Sequence, residues 1–345
     1  MAMQKYSTVP SRNLIRAEME MLKHAEAKCV LSSFGDQKMQ PQRKTDTVVF
    51  RRLNLFNMAA NGVAGVDPAA MMLTEGVTPD ANTISYTDVP ATLQQYGVLF
   101  SLSSKAQLMY EDDIPSDMKK LCGETLGYVQ ELVAYNKFKA GSSVIYANGT
   151  SRATVNSKIS LGKLRQAARS LQANWANKVN SMISPGPNFG TSAVPESYTV
   201  FCHTDCNADI RDLPGFVPIE KYGTAIKALS PQEFGACEEF RFINSPLFTP
   251  FLAAGAAVAS TGMASVGGAN IDIYPLLIIG EAAWGHVSLK GKGYTGISPT
   301  YLPPTDKNHA NPMGQVGYVG ADFWYEAVRL NENFMTRVEC AVTAL

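Results

Sequence analysis

Two strand-like stretches frame one long insert. The first is Thr47-Val48-Val49-Phe50-Arg51-Arg52-Leu53-Asn54-Leu55-Phe56. The second lies within 86–104 and contains Tyr96-Gly97-Val98-Leu99-Phe100-Ser101-Leu102. β-Branched and aromatic residues at this density read as strands. Between them, 57–85 is dense in Gly, Ala, Pro and Asn. A structureless insert of that length is uncommon in a compact domain and is usually functional. The simplest geometry is a two-stranded arm with a long tip. Such a ribbon is marginal alone and needs a partner surface. Arg51 and Arg52 are adjacent on the first strand, so they point to opposite faces. On a projecting arm at least one meets a partner, unless both are solvated charges that block edge pairing.

The flanks of the arm have their own periodicity. Residues 11–33 read as an amphipathic helix, with Leu14, Leu22, Ala25 and Cys29 near one face, Ser11 as cap and Gly35 as stop. The polar run 36–46 reads as an extended arm. Residues 112–139 form the clearest helix, capped by Asp112 or Asp113 and with Pro115 in its first turn. Ile114, Met118, Leu121, Thr125, Val129, Leu132 and Val133 recur at steps of three and four, and the helix would span roughly 40 Å. Asn148-Gly149 is a turn signal. A second helix is expected at 161–176, with Leu161, Leu164, Ala168, Leu171 and Trp175 as its stripe. Residues 184–196 read as loop, Tyr198–Cys202 as a short strand, and 205–213 as a short helix. Ile273–Ile279 reads as a buried strand and 290–316 as loop. The last thirty residues read as a hairpin, with strands 317–329 and 334–343 about a turn at Asn331-Glu332-Asn333.

The chain has 345 residues, 30 basic and 30 acidic, for a formal net charge of zero. Charged residues are 17% against a usual share of about 25%, and hydrophobic residues are 46%. Such a chain buries a core and is not disordered. Electroneutrality argues against a strongly basic nucleic-acid reader. A surface short of charge is often one that other chains cover. The six cysteines are widely and irregularly spaced, and residues 1–7 carry no secretory pattern. Reduced, buried thiols and synthesis in a cytoplasm are expected. No apolar run of about 18 residues is present, so no membrane partner is expected.

No catalytic constellation emerges. Gly291-Lys292-Gly293-Tyr294-Thr295-Gly296 matches a dinucleotide fingerprint, but that motif requires a helix directly after it. Ile297-Ser298-Pro299 and Pro303-Pro304 forbid one. Cys202-His203-Thr204-Asp205-Cys206 lacks the second ligand pair of a structural zinc site. The acidic run Glu111-Asp112-Asp113 sits at a helix start, where capping and dipole compensation account for it. The SxxK matches at 116–119 and 160–163 have no companion motif. No cofactor, metal or enzymatic activity is expected.

At this point the residues resemble a known family. Leu73-Thr74-Glu75-Gly76-Val77-Thr78-Pro79 and Val89-Pro90-Ala91-Thr92-Leu93-Gln94-Gln95-Tyr96-Gly97 are similar to the loop signature of tailed-phage major capsid proteins. The group is that typified by the coliphage N-four capsid protein. Phe201-Cys202-His203-Thr204-Asp205 with Asp212-Leu213, Glu233-Phe234-Gly235, Leu277–Gly285 and Asn311–Gly320 fit in the same order. The resemblance covers roughly 45–345. It departs at Asn311-Pro312-Met313, where the family usually has Asp-Pro-Leu, and does not extend to 57–72.

The resemblance implies an α+β fold of the Hong Kong phage type. Its parts would be an N-terminal arm (1–46), an extended loop (47–108), a peripheral domain with a spine helix (109–158 and 315–345) and an axial domain (159–314). It implies a virion shell of hexamers and pentamers, assembled in the host cytoplasm around double-stranded DNA that the shell touches weakly. Portal, scaffold or decoration proteins would be further partners. The alternatives are a nanocompartment shell of the encapsulin kind and, at greater remove, a soluble nucleotide-binding enzyme. For a shell, the subunit-interface candidates are Arg51, Arg52 and Glu75 on the loop and Asp112, Asp113, Asp117 and Glu124 on the spine helix of a neighbour. The expected contact joins Arg51 or Arg52 to one of those helix carboxylates.

Overall fold

The computed structural model describes residues 30–54, 72–78, 83–110, 113–180, 182–184, 191–223, 228–258, 262–289, 298–307, 309 and 311–345. The first strand is β1 (Asp36–Gln40), followed by β2 (Thr47–Leu53), β3 (Tyr86–Thr92) and β4 (Gln94–Ser103). Two helices come next, α1 (Ser104–Met109) and α2 (Ile114–Lys139), then β5 (Val144–Tyr146) and α3 (Leu161–Ala173). The middle of the chain supplies β6 (Tyr198–Cys202), α4 (Asn207–Arg211), β7 (Phe216–Pro218), β8 (Glu233–Cys237) and β9 (Phe240–Asn244). The last part supplies β10 (Tyr274–Ile279), β11 (Trp284–Leu289), β12 (Ser298–Leu302), β13 (Val316–Arg329) and β14 (Met335–Cys340).

One sheet is organised by β13. Along one edge β4 pairs antiparallel from Val316↔Ser103 to Tyr325↔Gln94. The other edge is shared end to end by β12 (Leu302↔Tyr318 to Ser298↔Asp322) and β11 (Ser288↔Tyr325 to Trp284↔Arg329). β1 then adds in parallel to β11. Because side chains alternate along a strand, β13 serves two partners. Val319, Ala321, Phe323, Tyr325 and Ala327 pack with α2, whereas Trp324 and Val328 pack with the β2–β3 hairpin.

Helix α2 follows from its sequence. Asp113 caps it by accepting from Ser116 N, and Pro115 sits where its missing N–H costs nothing. Ile114, Met118, Cys122 and Leu126 recur every fourth residue and are buried, and Ala134, Tyr135 and Phe138 continue the seam. The expected flank of Leu121 is instead 40% exposed.

The second sheet has the order β5-β14-β10-β6-β9-β8-β7. Strands β6, β8, β10 and β14 are buried along their full length; the mainly apolar β6 and β10 read as strands covered on both faces, whereas β8 and β14 also bury Glu233, Arg337 and Glu339. α3 packs Leu164, Ala167, Ala168 and Leu171 onto one face, against Val200, Phe242, Leu276 and Val338. On the other face Phe201, Ile243, Leu277 and Met335 join the core beneath α2.

Four expectations need correction. First, 86–104 is two strands in different sheets, broken at Leu93: β3 pairs with β2, and β4 with β13. Second, the closing segment is not a hairpin. β13 and β14 lie in different sheets, and the 3-10 turn Glu332–Phe334 carries the chain across. The backbone bonds there go elsewhere: Leu330 N and Asn331 N donate to Ala283 O, and Gly280 N donates to Phe334 O. Third, the loop-rich 290–316 contains β12, hidden in sequence by Pro299 and Pro303.

Fourth, Trp175 is not part of the α3 stripe. The helix ends at Ala173 in a Schellman arrangement, with Trp175 N donating to Gln172 O and Ala176 N to Leu171 O. Trp175 occupies the left-handed position (φ 63°), which turns its ring outward to 66% exposure, and Ala176 fills the apolar slot. Of the expected helix at 11–33, residues 11–29 lie outside the described residues, and Leu31–Ser33 form a 3-10 turn. The glycine motif 291–296 also lies outside them; the element that follows it is the strand β12.

Candidate subunit-interface surface

The β2–β3 ladder runs in register from Thr47↔Thr92 to Leu53↔Tyr86. Its base is docked on its own body. Phe50, Ala91 and Leu93 are buried with Val287, and Val48, Val89, Leu289, Trp324 and Val328 close the cluster. Burying a side chain of the size of Phe50 contributes roughly 1.5–3 kcal/mol. Beyond Phe50 that support ends. Leu53, Met72, Leu73, Val77, Ile84 and Tyr86 are each more than half exposed. Asn54 N still donates to Ser85 O, so the ladder continues past the last covered residue. A turn closed by Val77 N donating to Thr74 O carries the exposed Glu75, with Gly76 supplying the positive φ (78°) that such a turn requires.

The two adjacent arginines have different fates. Arg51 faces solvent and forms a two-pronged pair with Asp88 across the ladder, Nε to Oδ1 at 2.7 Å and Nη2 to Oδ2 at 2.8 Å. This guanidinium holds the Asp88 carboxyl below its usual range. Arg52 lies on the same face of the strand as Phe50 and has no hydrogen bond or ion pair among the described residues. It lines a groove of about 260 Å³ with Lys38, Phe50, Val89, Leu330 and Phe334. Lys38 caps the groove floor with its Nζ 4.1 Å from the Phe50 ring centroid.

On α2, Asp113 is engaged as the cap and Asp117 sits exposed in the first turn. Glu124, about two turns further on, is half-buried, and its buried Oε1 has no hydrogen-bond partner among the described residues. Asp112 lies outside the described residues. Among the described residues no ion pair joins Arg51 or Arg52 to Asp113, Asp117 or Glu124.

The sequence reading did not find two carboxylates of this region. Asp88 is the cross-strand neighbour of Arg51, and the register that places it there follows from matching Val48 and Phe50 to Ala91 and Val89. Glu131 is buried on α2 and accepts from Val30 N and Leu31 N, both at 2.9 Å. It thereby fixes where the N-terminal strand leaves the body, and burial pushes its carboxyl pKa up. Next to it His286 bridges Tyr325 OH and the Phe34 carbonyl. Gly35 (φ 86°) is required there, because a Cβ would lie 1.9 Å from the Trp284 ring. Cys202 and Cys206 are buried thiols, and His203 Nδ1 accepts from Asp205 N as the cap of a 3-10 turn.

No protein-family model and no curated protein sequence matches the chain. Solved structures do. A chain in the capsid of Ralstonia phage GP4 is 12% identical, with a TM-score of 0.65 over 98% of each chain. One from the cyanophage Pam1 capsid is 11% identical, with a TM-score of 0.60 over 99% of each. One from the capsid of cyanophage P-SCSP1u is 12% identical, with a TM-score of 0.59 over 96% of this chain and 94% of that one. A hairpin docked at its base, a long capped helix on a β13-centred sheet and a second sheet with a buried centre are thus the parts of one known architecture: the chain has the Hong Kong phage-type fold of tailed-phage capsid proteins.

Proposed function

We propose that the chain is the major capsid subunit of a phage head, a structural protein that assembles with copies of itself into a closed shell. One observation carries the reading. The distal half of the β2–β3 hairpin leaves six large apolar side chains uncovered, on a chain matched end to end by capsid chains. Exposed apolar surface concentrated on a projecting element marks an interaction site. Hexamers and pentamers joined by heterologous contacts satisfy it, because such contacts close into rings. Each contact can be modest, since a subunit makes several at once and multivalency supplies the stability.

The division into N-terminal arm, extended loop, peripheral domain and axial domain is part of this proposal. Sheet membership favours counting 94–103, 284–289 and 298–302 with the spine helix α2, and 335–340 with the axial sheet. Packaged double-stranded DNA, portal, scaffold and decoration partners, and assembly in the host cytoplasm follow from the same reading. A neutral chain would bind DNA weakly and in a salt-sensitive way.

Within the shell, Arg52 is the arginine available to a neighbour, and Arg51 is already engaged by Asp88. Asp117 is the acceptor best suited on α2 because it is exposed, Glu124 is half-buried with its unused Oε1 turned away from solvent, and Glu75 sits exposed in the turn closed by Val77 N and Thr74 O. Electron microscopy of purified protein tests the whole: shells or rings are expected, and monomers under all assembly conditions would refute it. Arg52→Ala is expected to weaken assembly while Arg51→Ala leaves it intact. Unchanged assembly and shell melting in the double variant would remove the arginine contact from the proposal.

A further inference from the structure

Three cations converge on one aromatic ring at the C-terminal end of α2. The Arg152 guanidinium carbon lies 3.5 Å from the Phe251 ring centroid, Lys139 Nζ 4.0 Å and the Arg337 guanidinium carbon 5.9 Å. A single carboxylate serves all three. Glu339 is wholly buried, takes Arg152 Nε and Nη2 at 2.7 Å each, and lies 2.8 Å from Arg337 Nε. That last approach holds the Nε of Arg337, a residue 8% exposed, on the same carboxylate that Arg152 already fills with two bonds. The other bonds go to neutral carbonyls: Arg337 Nη1 donates to Lys139 O, and Lys139 Nζ to Thr249 O at 2.9 Å. The helix C-terminus offsets only about half a charge. Among the neighbours, Tyr146 faces the arginines, and Tyr135 and Cys206 have pKa values raised chiefly by burial and by a hydrogen bond to Cys340, respectively. None of these neighbours is a carboxylate.

Three positive charges against one negative charge leave an excess of two. The excess is felt: burial, then Arg152 and Arg337, push the Lys139 ammonium pKa down. Donors remain unspent. Among the described residues Arg152 Nη1 makes no bond and Lys139 Nζ makes one bond of three, and the Arg152 side chain is 33% exposed.

We infer that Lys139, Arg152 and Arg337 around Phe251 form a binding site for a phosphate dianion. Two negative charges cancel the excess, where one carboxylate would cancel half. Guanidinium forks match the oxygen geometry of phosphate, and charge-assisted bonds of this type are the strong ones. The inference stands independently of the shell proposal.

The test is a titration of the purified full chain with inorganic phosphate at constant ionic strength held with sodium chloride. Saturable broadening of the phosphorus resonance and a rising melting midpoint are expected. Lys139→Met keeps an apolar stem on Phe251 and removes one charge; it should fold and bind phosphate about tenfold more weakly. Absence of saturable broadening with the wild-type chain overturns the site, whatever the variant does. Equal shifts in wild type and Lys139→Met, or an equal shift from chloride, overturn it too. Competition by a short DNA duplex separates the sources. Displacement would assign the place to a phosphodiester monoanion and overturn the dianion reading, and its absence supports the free dianion. Phosphate bound by the free chain but expelled on self-association would assign the place to a carboxylate of a second copy and overturn the inference.

Discussion

The two halves of the β2–β3 hairpin share one ladder and one chemistry, yet only one half is stabilised by its own chain. From Thr47 to Phe50, and from Val89 to Leu93, alternate residues sink into Val287, Leu289, Trp324 and Val328. From Leu53 outward, Tyr86 and Ile84 carry similar apolar area into solvent. Backbone hydrogen bonds are present in both halves. The difference is therefore tertiary: a ribbon without a covered face is marginal however well its strands pair. The base behaves as core and the far half as a surface in waiting.

Breaking the base should give the largest effect on the free chain. Phe50→Ala removes a buried ring and opens a cavity, and is expected to cost about 3–5 kcal/mol in chemical denaturation. A loss under about 1 kcal/mol would mean that the base is not docked in solution. The far half should behave in the opposite way. Ile84→Ser with Tyr86→Ser is expected to change the stability of the free chain by no more than about 0.5 kcal/mol, while abolishing shell formation in sedimentation. A large loss of free-chain stability would show that these side chains are covered internally after all.

The smallest effect belongs to the Arg51–Asp88 pair between the two halves. Both side chains are exposed, and pairs of this kind are screened and weak. Arg51 depresses the Asp88 pKa, so whatever stability the pair adds is present above the ordinary carboxylate range and is lost as pH falls through the depressed value. Melting of the wild type and of Arg51→Ala from pH 7 to pH 2 should differ slightly at the upper end and converge at the lower end. Divergence on acidification would contradict the assignment.

How far the sequence could be read depended on which force wrote each element. Tyr198–Cys202 and the run ending at Ile279 were legible because burial on both faces leaves an unbroken apolar string. α2 was legible through its cap and its step of four. The β13–β14 segment read as a hairpin because two strands around Asn331-Glu332-Asn333 have that local pattern; nothing local records that each strand bonds to a different sheet. Leu93 failed for a related reason, since it is apolar like the strands it separates. Trp175 continued the α3 stripe by spacing, but the Schellman turn overruled it. At the interface, the opposed faces of Arg51 and Arg52 were legible from alternation, and the internal claim of Asp88 on Arg51 was not, because it needed the register.

The alternation of β13 has a consequence for how this chain can diverge. Its odd-numbered side chains hold the helix and its even-numbered ones the hairpin. Inserting or deleting a single residue between Gly320 and Trp324 would exchange the two sets and unseat both partners at once. Mutation can respell this strand letter by letter, but its letter count is frozen.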